Sequence, residues 1–221
     1  VGPITLGVAL HRAGLDSDTA FTLAVRAVRD HVNALLELVA KQLPSVQQVV
    51  ILDEPSFGVL SDEDSPIRRE DGVDMLSAAL AMIERQAVSG VHCCGEADWN
   101  MIIDAGPSLV SFPTNVDLDT YAHRFANFIS NDGVIAWGAV RTDGPLPQTC
   151  DRAWRALTDC WRRVVDAGAD TARVLEQSIV TPACGFGLHS ETVTWRAMQH
   201  LNEIGSRVAN GSAELQLSYK R

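Results

Sequence analysis

The 221-residue sequence predicts an α/β fold in which buried parallel strands alternate with helices. Three observations carry this. Short apolar runs rich in β-branched residues alternate with longer segments whose apolar residues recur every three or four positions. The short runs are apolar throughout rather than every second residue, as in strands covered on both faces. Hydrophobic residues make up 46% of the chain, enough for a sizeable core, and no linker interrupts residues 1–221, which read as a single domain.

The alternation is justified element by element. "ITLGVAL" reads as a first strand. A helix follows over about Ser17 to Gln42, capped by Asp16 or Ser17, with Phe21, Ala24, Val28, Val32, Leu35 and Val39 as its apolar stripe and Pro44 closing the stretch. "QQVVILDEP" is the second strand, stopped at Pro55. "SDEDSPIRREDG" reads as a surface loop before a helix from about Val73 to Gln86. "SGVHCC", "SLVSF", "GVIAWGAV" and "QSIVTPAC" are the remaining strands. "ADWNMIIDA", "DLDTYAHRFANFIS", "CDRAWRALTDCWRRVVDAG" and "SETVTWRAMQHLNEIGSRVA" are the helices between and after them. Six strand–helix units fit either an open doubly wound sheet or a barrel. "GVALHRAG" lacks the G-x-G-x-x-G spacing of a dinucleotide-binding turn.

Composition excludes several classes of function. A net charge of −10 and the lack of a basic run argue against a nucleic-acid partner. No stretch reaches the roughly 18 apolar residues of a membrane span. Five cysteines, an odd number, argue against a secreted disulfide framework and for a reducing, cytoplasmic compartment. The chain opens with "VGPITLGVAL", an element already under way, so the natural protein is expected to be longer.

In both architectures, active sites gather at the carboxyl ends of the strands. The second strand ends in Asp53–Glu54–Pro55, the third in His92–Cys93–Cys94, the fifth runs through Gly138 towards Asp143, and the sixth leads to Cys184. Side chains alternate along a strand, so His92 and Cys94 share a face while Cys93 turns the other way, towards the helix layer. An imidazole and a thiolate two residues apart, with one remote cysteine, form a plausible three-ligand zinc set with an open fourth position, as in catalytic zinc sites. The competing reading is a chance H-x-C match with unliganded cysteines. Cys150 and Cys160 fall on a helical pattern and read as packing residues. His11, His31, His123, His189 and His200 read as structural, His189 least clearly because it follows the Cys184 loop. Trp154, Trp161 and Trp195 read as helix packing.

Taken together, these pieces resemble the catalytic C-terminal barrel of cobalamin-independent methionine synthase, within the wider group that includes the uroporphyrinogen decarboxylase-like methyltransferases. "GPITL" is similar to that family's TGPVT-type strand and "VVILDEPSF" to its IQIDEPAL-type strand. "VHCC" is similar to its H-x-C metal pair, and "VTPACGFG" to its NPDCGL-type final strand. The four pieces occur in the family's order and cover residues 2 to about 187.

The resemblance implies a (β/α)8 TIM-type barrel of which about six units are present, the first two lying outside this chain. It implies a Zn²⁺ ion held by His92, Cys94 and Cys184, and Asp53 holding the amino group of homocysteine, with Glu54 in the same motif. The implied partners are a small-molecule thiol and a methyl donor, either a methylfolate or a methylated corrinoid protein, with a homo-oligomer expected if another copy covers the open edges. Two positions depart from the family. Its glutamate ligand aligns with Pro113, leaving water, substrate or a nearby acid such as Glu96 or Asp117 to complete the coordination. Its acid histidine has no counterpart in "GAVRTDGPLP", where Arg141 and Asp143 stand instead, so Asp143 is the candidate for proton transfer. These departures motivate an alternative, a degenerate barrel that keeps the fold, with or without the metal, but acts as a binding or scaffold protein. A tetrapyrrole decarboxylase, the third option, has no need of paired thiolate ligands.

Overall fold

The structure is a computed structural model, and it describes residues 1–142 and 144–211. Five strands form one sheet in the order β1-β2-β3-β4-β5, with helices between them in the chain: β1 (Val49–Asp53), β2 (Val88–His92), β3 (Leu109–Pro113), β4 (Val134–Val140) and β5 (Ser178–Pro182). β1 with β2 and β4 with β5 pair in parallel. The molecule is therefore a partial βα repeat with a parallel sheet. The eight strands of a complete barrel are not present among the described residues.

The chain separates into two compact units, Val1–Val110 and Ser111–Arg221. In the first, α1 (Pro3–Arg12) and α2 (Ser17–Gln42) precede β1, and α3 (Arg69–Glu84) and α4 (Trp99–Asp104) flank β2. The expected strand "ITLGVAL" is α1. A seven-residue apolar run is compatible with either state, and Pro3 at the first helical position decides it. Only the residue before it, Gly2, is extended, and its N–H donates to the carbonyl of Asp53 at 2.7 Å.

α2 starts where expected, with Asp16 accepting the N–H of Thr19, a cap worth about 1 kcal/mol. Its buried stripe is Ala20, Phe21, Ala24, Val28, Val32 and Leu36. Leu35, expected inside, is 45% exposed, and Val39 is only half-buried. The stripe keeps steps of four to its end, and one residue of offset turns a side chain about 100° round the helix. α3 begins four residues earlier than expected. The polar "REDG" is helical because Glu70 and Asp71 favour the positive end of the helix and Arg68, in the capping position, grips Asp71 through two hydrogen bonds of 2.8 and 2.7 Å.

In the second unit, α5 (Leu118–Ser130), α6 (Asp151–Asp166) and α7 (Thr171–Glu176) separate β3, β4 and β5, and α8 (Glu191–Ala209) follows. Its core stacks Phe112 on Phe125 at 4.8 Å and sets Trp137 edge-on to Phe112 at 5.2 Å. The buried Trp137 indole satisfies its N–H on Ser178 Oγ at 2.8 Å, tying β4 to β5. Trp154 and Trp161 pack edge to face at 6.2 Å as expected of helix packing; Trp195, expected with them, is 64% exposed.

Candidate metal centre

Strand alternation sets the chemistry at the end of β1. Leu52 and Glu54 are buried while Asp53 between them is exposed. In the parallel ladder Asp53 lies opposite His92, and the N–H of Glu54 donates to the carbonyl of His92 at 2.8 Å. Two carboxylates adjacent in sequence thus enter different surroundings. Asp53 faces solvent beside the last residue of β2. The carboxylate of Glu54 accepts the N–H groups of Ile4 at 2.9 Å and Thr5 at 2.7 Å. Burial pushes the Glu54 carboxyl above its ordinary value, opposed by those hydrogen bonds.

The same alternation separates the two neighbouring cysteines. Cys93 is fully buried, and its thiol donates to the carbonyl of Gly95 at 3.6 Å. Burial pushes that thiol up to about 12, so it stays protonated and inert. Cys94 is exposed and His92 half-buried. The turn beyond them lies tight on the segment after β1. A Cβ on Gly95 would stand 2.5 Å from the carbonyl oxygen of Pro55, so only glycine permits this approach.

In the second unit, the N–H of Ala183 donates to the carbonyl of Val140 at 2.8 Å, extending the β4–β5 ladder one residue past β5. Cys184 comes next and is exposed. His92, Cys94 and Cys184 each offer one ligand atom, these atoms lie within 4.8 Å of one another, and the group could hold a metal ion. An imidazole and two thiols are a borderline-soft donor set.

The other expected residues stay outside this group. Pro113 ends β3 half-buried and offers no side-chain donor. Glu96 is exposed, and Asp117 accepts the hydroxyl of Thr120 at 2.8 Å; neither joins the three ligands. Arg141 is exposed just after β4, and Asp143 lies outside the described residues. Cys150 and Cys160 are buried, with their thiols pushed by burial up to about 11 and about 12. The helix-capping contacts of Glu54 escaped the sequence reading, although the period of two already turned its side chain away from that of Asp53.

A scan against protein-family models gives no match, and neither does a search of curated proteins. The donor set and its geometry therefore carry the functional argument. Among the described residues, no helix is long and apolar enough to cross a membrane.

Proposed function

We propose that this protein is a zinc-dependent methyltransferase of the cobalamin-independent methionine synthase type, acting on a small thiol such as homocysteine. The observation that carries the reading is the grouping of His92, Cys94 and Cys184 within 4.8 Å, two of them on one strand end at H-x-C spacing. A bound Zn²⁺ would lower the pKa of a substrate thiol and keep its sulfur electron-rich. His92, Cys94 and Cys184 supply three donors and leave the fourth place to that sulfur. Asp53, exposed and opposite His92 in the β-ladder, pairs with the ammonium of the amino-thiol.

In the transfer itself a sulfur lone pair attacks the methyl carbon of the donor. The new S–CH3 bond forms as the bond from methyl to folate nitrogen or corrinoid cobalt breaks, and the leaving atom keeps that electron pair. The thiol proton ends on the folate nitrogen or in solvent. Asp143 is the candidate acid for that proton transfer in the folate case.

Pro113 favours a second reading, a degenerate barrel that binds metal and thiol without transferring methyl groups, because β3 ends in a side chain that cannot ligate. Metal analysis, calorimetry with homocysteine and a methyl-transfer assay with both donor classes separate the two. Stoichiometric zinc, zinc-dependent thiol binding and methionine formation support the enzyme. Binding without transfer from either donor supports the scaffold. A zinc content unchanged by Cys94→Ser and Cys184→Ser rejects the enzyme.

A further inference from the structure

Glu54 is the one fully buried carboxylate among the described residues, and the chemistry proposed above does not use it. Its two oxygens take the second and third amides of α1, from Ile4 and Thr5. These are donors that a helix normally gives to a capping side chain. The residue in the capping position is Gly2, which has none, and Pro3 at the next position has no N–H to satisfy. A Cβ on Gly2 would stand 2.3 Å from Glu54 Oε1, so the glycine leaves room for the carboxylate that replaces the missing cap.

This contact adjoins the backbone of Asp53. The carbonyl of Asp53 accepts the N–H of Gly2 at 2.7 Å, and the N–H of Ser56 donates to Thr5 Oγ1 at 3.2 Å. The backbone from the carbonyl of Asp53 to the amide of Ser56 is thereby tied to the start of α1, which Glu54 holds from 50 residues away. We infer that Glu54 is a positioning residue: it caps α1 from outside the helix and, through Gly2, orients Asp53 for the ammonium of the substrate. The orienting role rests on the reading of Asp53 proposed above; the capping role does not.

The test uses the full chain loaded with zinc. Glu54→Gln keeps the shape but opposes an NH2 group to one of the two amide donors. Amide exchange at Ile4 and Thr5 is expected to accelerate by about tenfold or more, and homocysteine affinity to fall about tenfold, with zinc content unchanged. In the Asp53→Asn background, Glu54→Gln is expected to cost no further affinity, since both act through one contact. A merely structural Glu54 would weaken binding by the same factor in either background, and that result overturns the positioning role. Unchanged exchange at Ile4 and Thr5 overturns the capping role. Should Glu54→Gln fail to fold, Gly2→Ala crowds the carboxylate while leaving it in place and is expected to reproduce both effects; wild-type exchange and affinity in a folded Gly2→Ala overturn the inference. If the wild type binds no homocysteine, the positioning role falls with the thiol reading, and exchange at Ile4 and Thr5 still decides the capping role.

Discussion

Asp53 and His92 stand opposite each other at the carboxyl ends of β1 and β2, paired in the parallel register. The pairing puts an exposed carboxylate beside a metal-ligand candidate without making it a ligand, since Asp53 is not in the group formed by His92, Cys94 and Cys184. Asp53→Asn is therefore expected to leave zinc stoichiometry intact and to weaken homocysteine binding by roughly 10- to 100-fold, the worth of a hydrogen bond to a charged group. Calorimetry on the zinc-loaded protein measures this. Loss of zinc in Asp53→Asn would place the carboxylate on the metal instead.

Removing a proposed ligand has the opposite expected signature. Cys94→Ser and Cys184→Ser are each expected to reduce zinc affinity by more than the roughly 100-fold typical of outer hydrogen-bond partners. Competition with a chromophoric chelator reads the affinity. An ion bound only by the folded chain stabilises it, so on the proposed reading chelation is also expected to lower the thermal midpoint of the wild type but not of the double variant.

The five cysteines divide into two sets that thiol labelling can distinguish. Cys93, Cys150 and Cys160 are buried, with thiols pushed up to about 12, 11 and 12, and are expected to resist alkylation at neutral pH. Cys94 and Cys184 are exposed and are expected to react in metal-free protein and to be protected once zinc is bound. Peptide mapping by mass spectrometry scores all five at once. Labelling of Cys93 ahead of Cys94 would reverse the assignment of faces on β2.

That assignment was legible in the sequence because strand periodicity is two: although β2 ends at His92, the next residue Cys93 is buried and Cys94 exposed, as a continued alternation expects. The parallel strand–helix alternation was legible from the continuous apolar runs, but cover on both faces holds only in part: Val49 and Ile51 of β1 and Ile179 of β5 are exposed. The first element was not. "ITLGVAL" is too short for its pattern to separate strand from helix, and the capping that stabilises α1 comes from Glu54, far along the chain. The end of α2 was misread by one position for a packing reason. Leu36 lies buried at 1% exposure while Leu35 is 45% exposed, although both leucines fit an apolar spacing of three or four. Leu36→Ala is expected to destabilise by about 2–5 kcal/mol and Leu35→Ala by less than about 0.5 kcal/mol. Chemical denaturation of the two variants checks it, and equal losses would put the stripe back where the sequence suggested.

Arg207 on α8 couples the acid stability of that helix to α6. Its guanidinium hydrogen-bonds Asp151 at 2.8 Å and Glu203 at 2.7 Å, and lies 5.8 Å from the centre of the Trp154 ring. Arg207 is the main cause that holds both carboxyls below their ordinary values, helped by Thr149 at Asp151 and by Cys150 at Glu203. A carboxyl whose folded-state pKa is depressed contributes stability that is fully present above its unfolded value. The contribution is lost as pH falls through the lower, folded one. The unfolded values are 3.8 for Asp151 and 4.5 for Glu203, so the attachment of α8 is expected to hold at neutral pH and to loosen progressively below them. Both acids are solvent-exposed, so the effect should weaken in high salt. Amide exchange along α8, followed from pH 6 downwards with rates corrected for intrinsic pH dependence, reads the loosening directly. Arg207→Ala is expected to raise α8 exchange at pH 6 and to flatten its further rise on acidification, because both carboxyls then titrate near their unfolded values. An Arg207→Ala protein that kept the wild-type acid profile would show that α8 is held by its apolar face, through Ala197 and Ile204, and not by this ion pair.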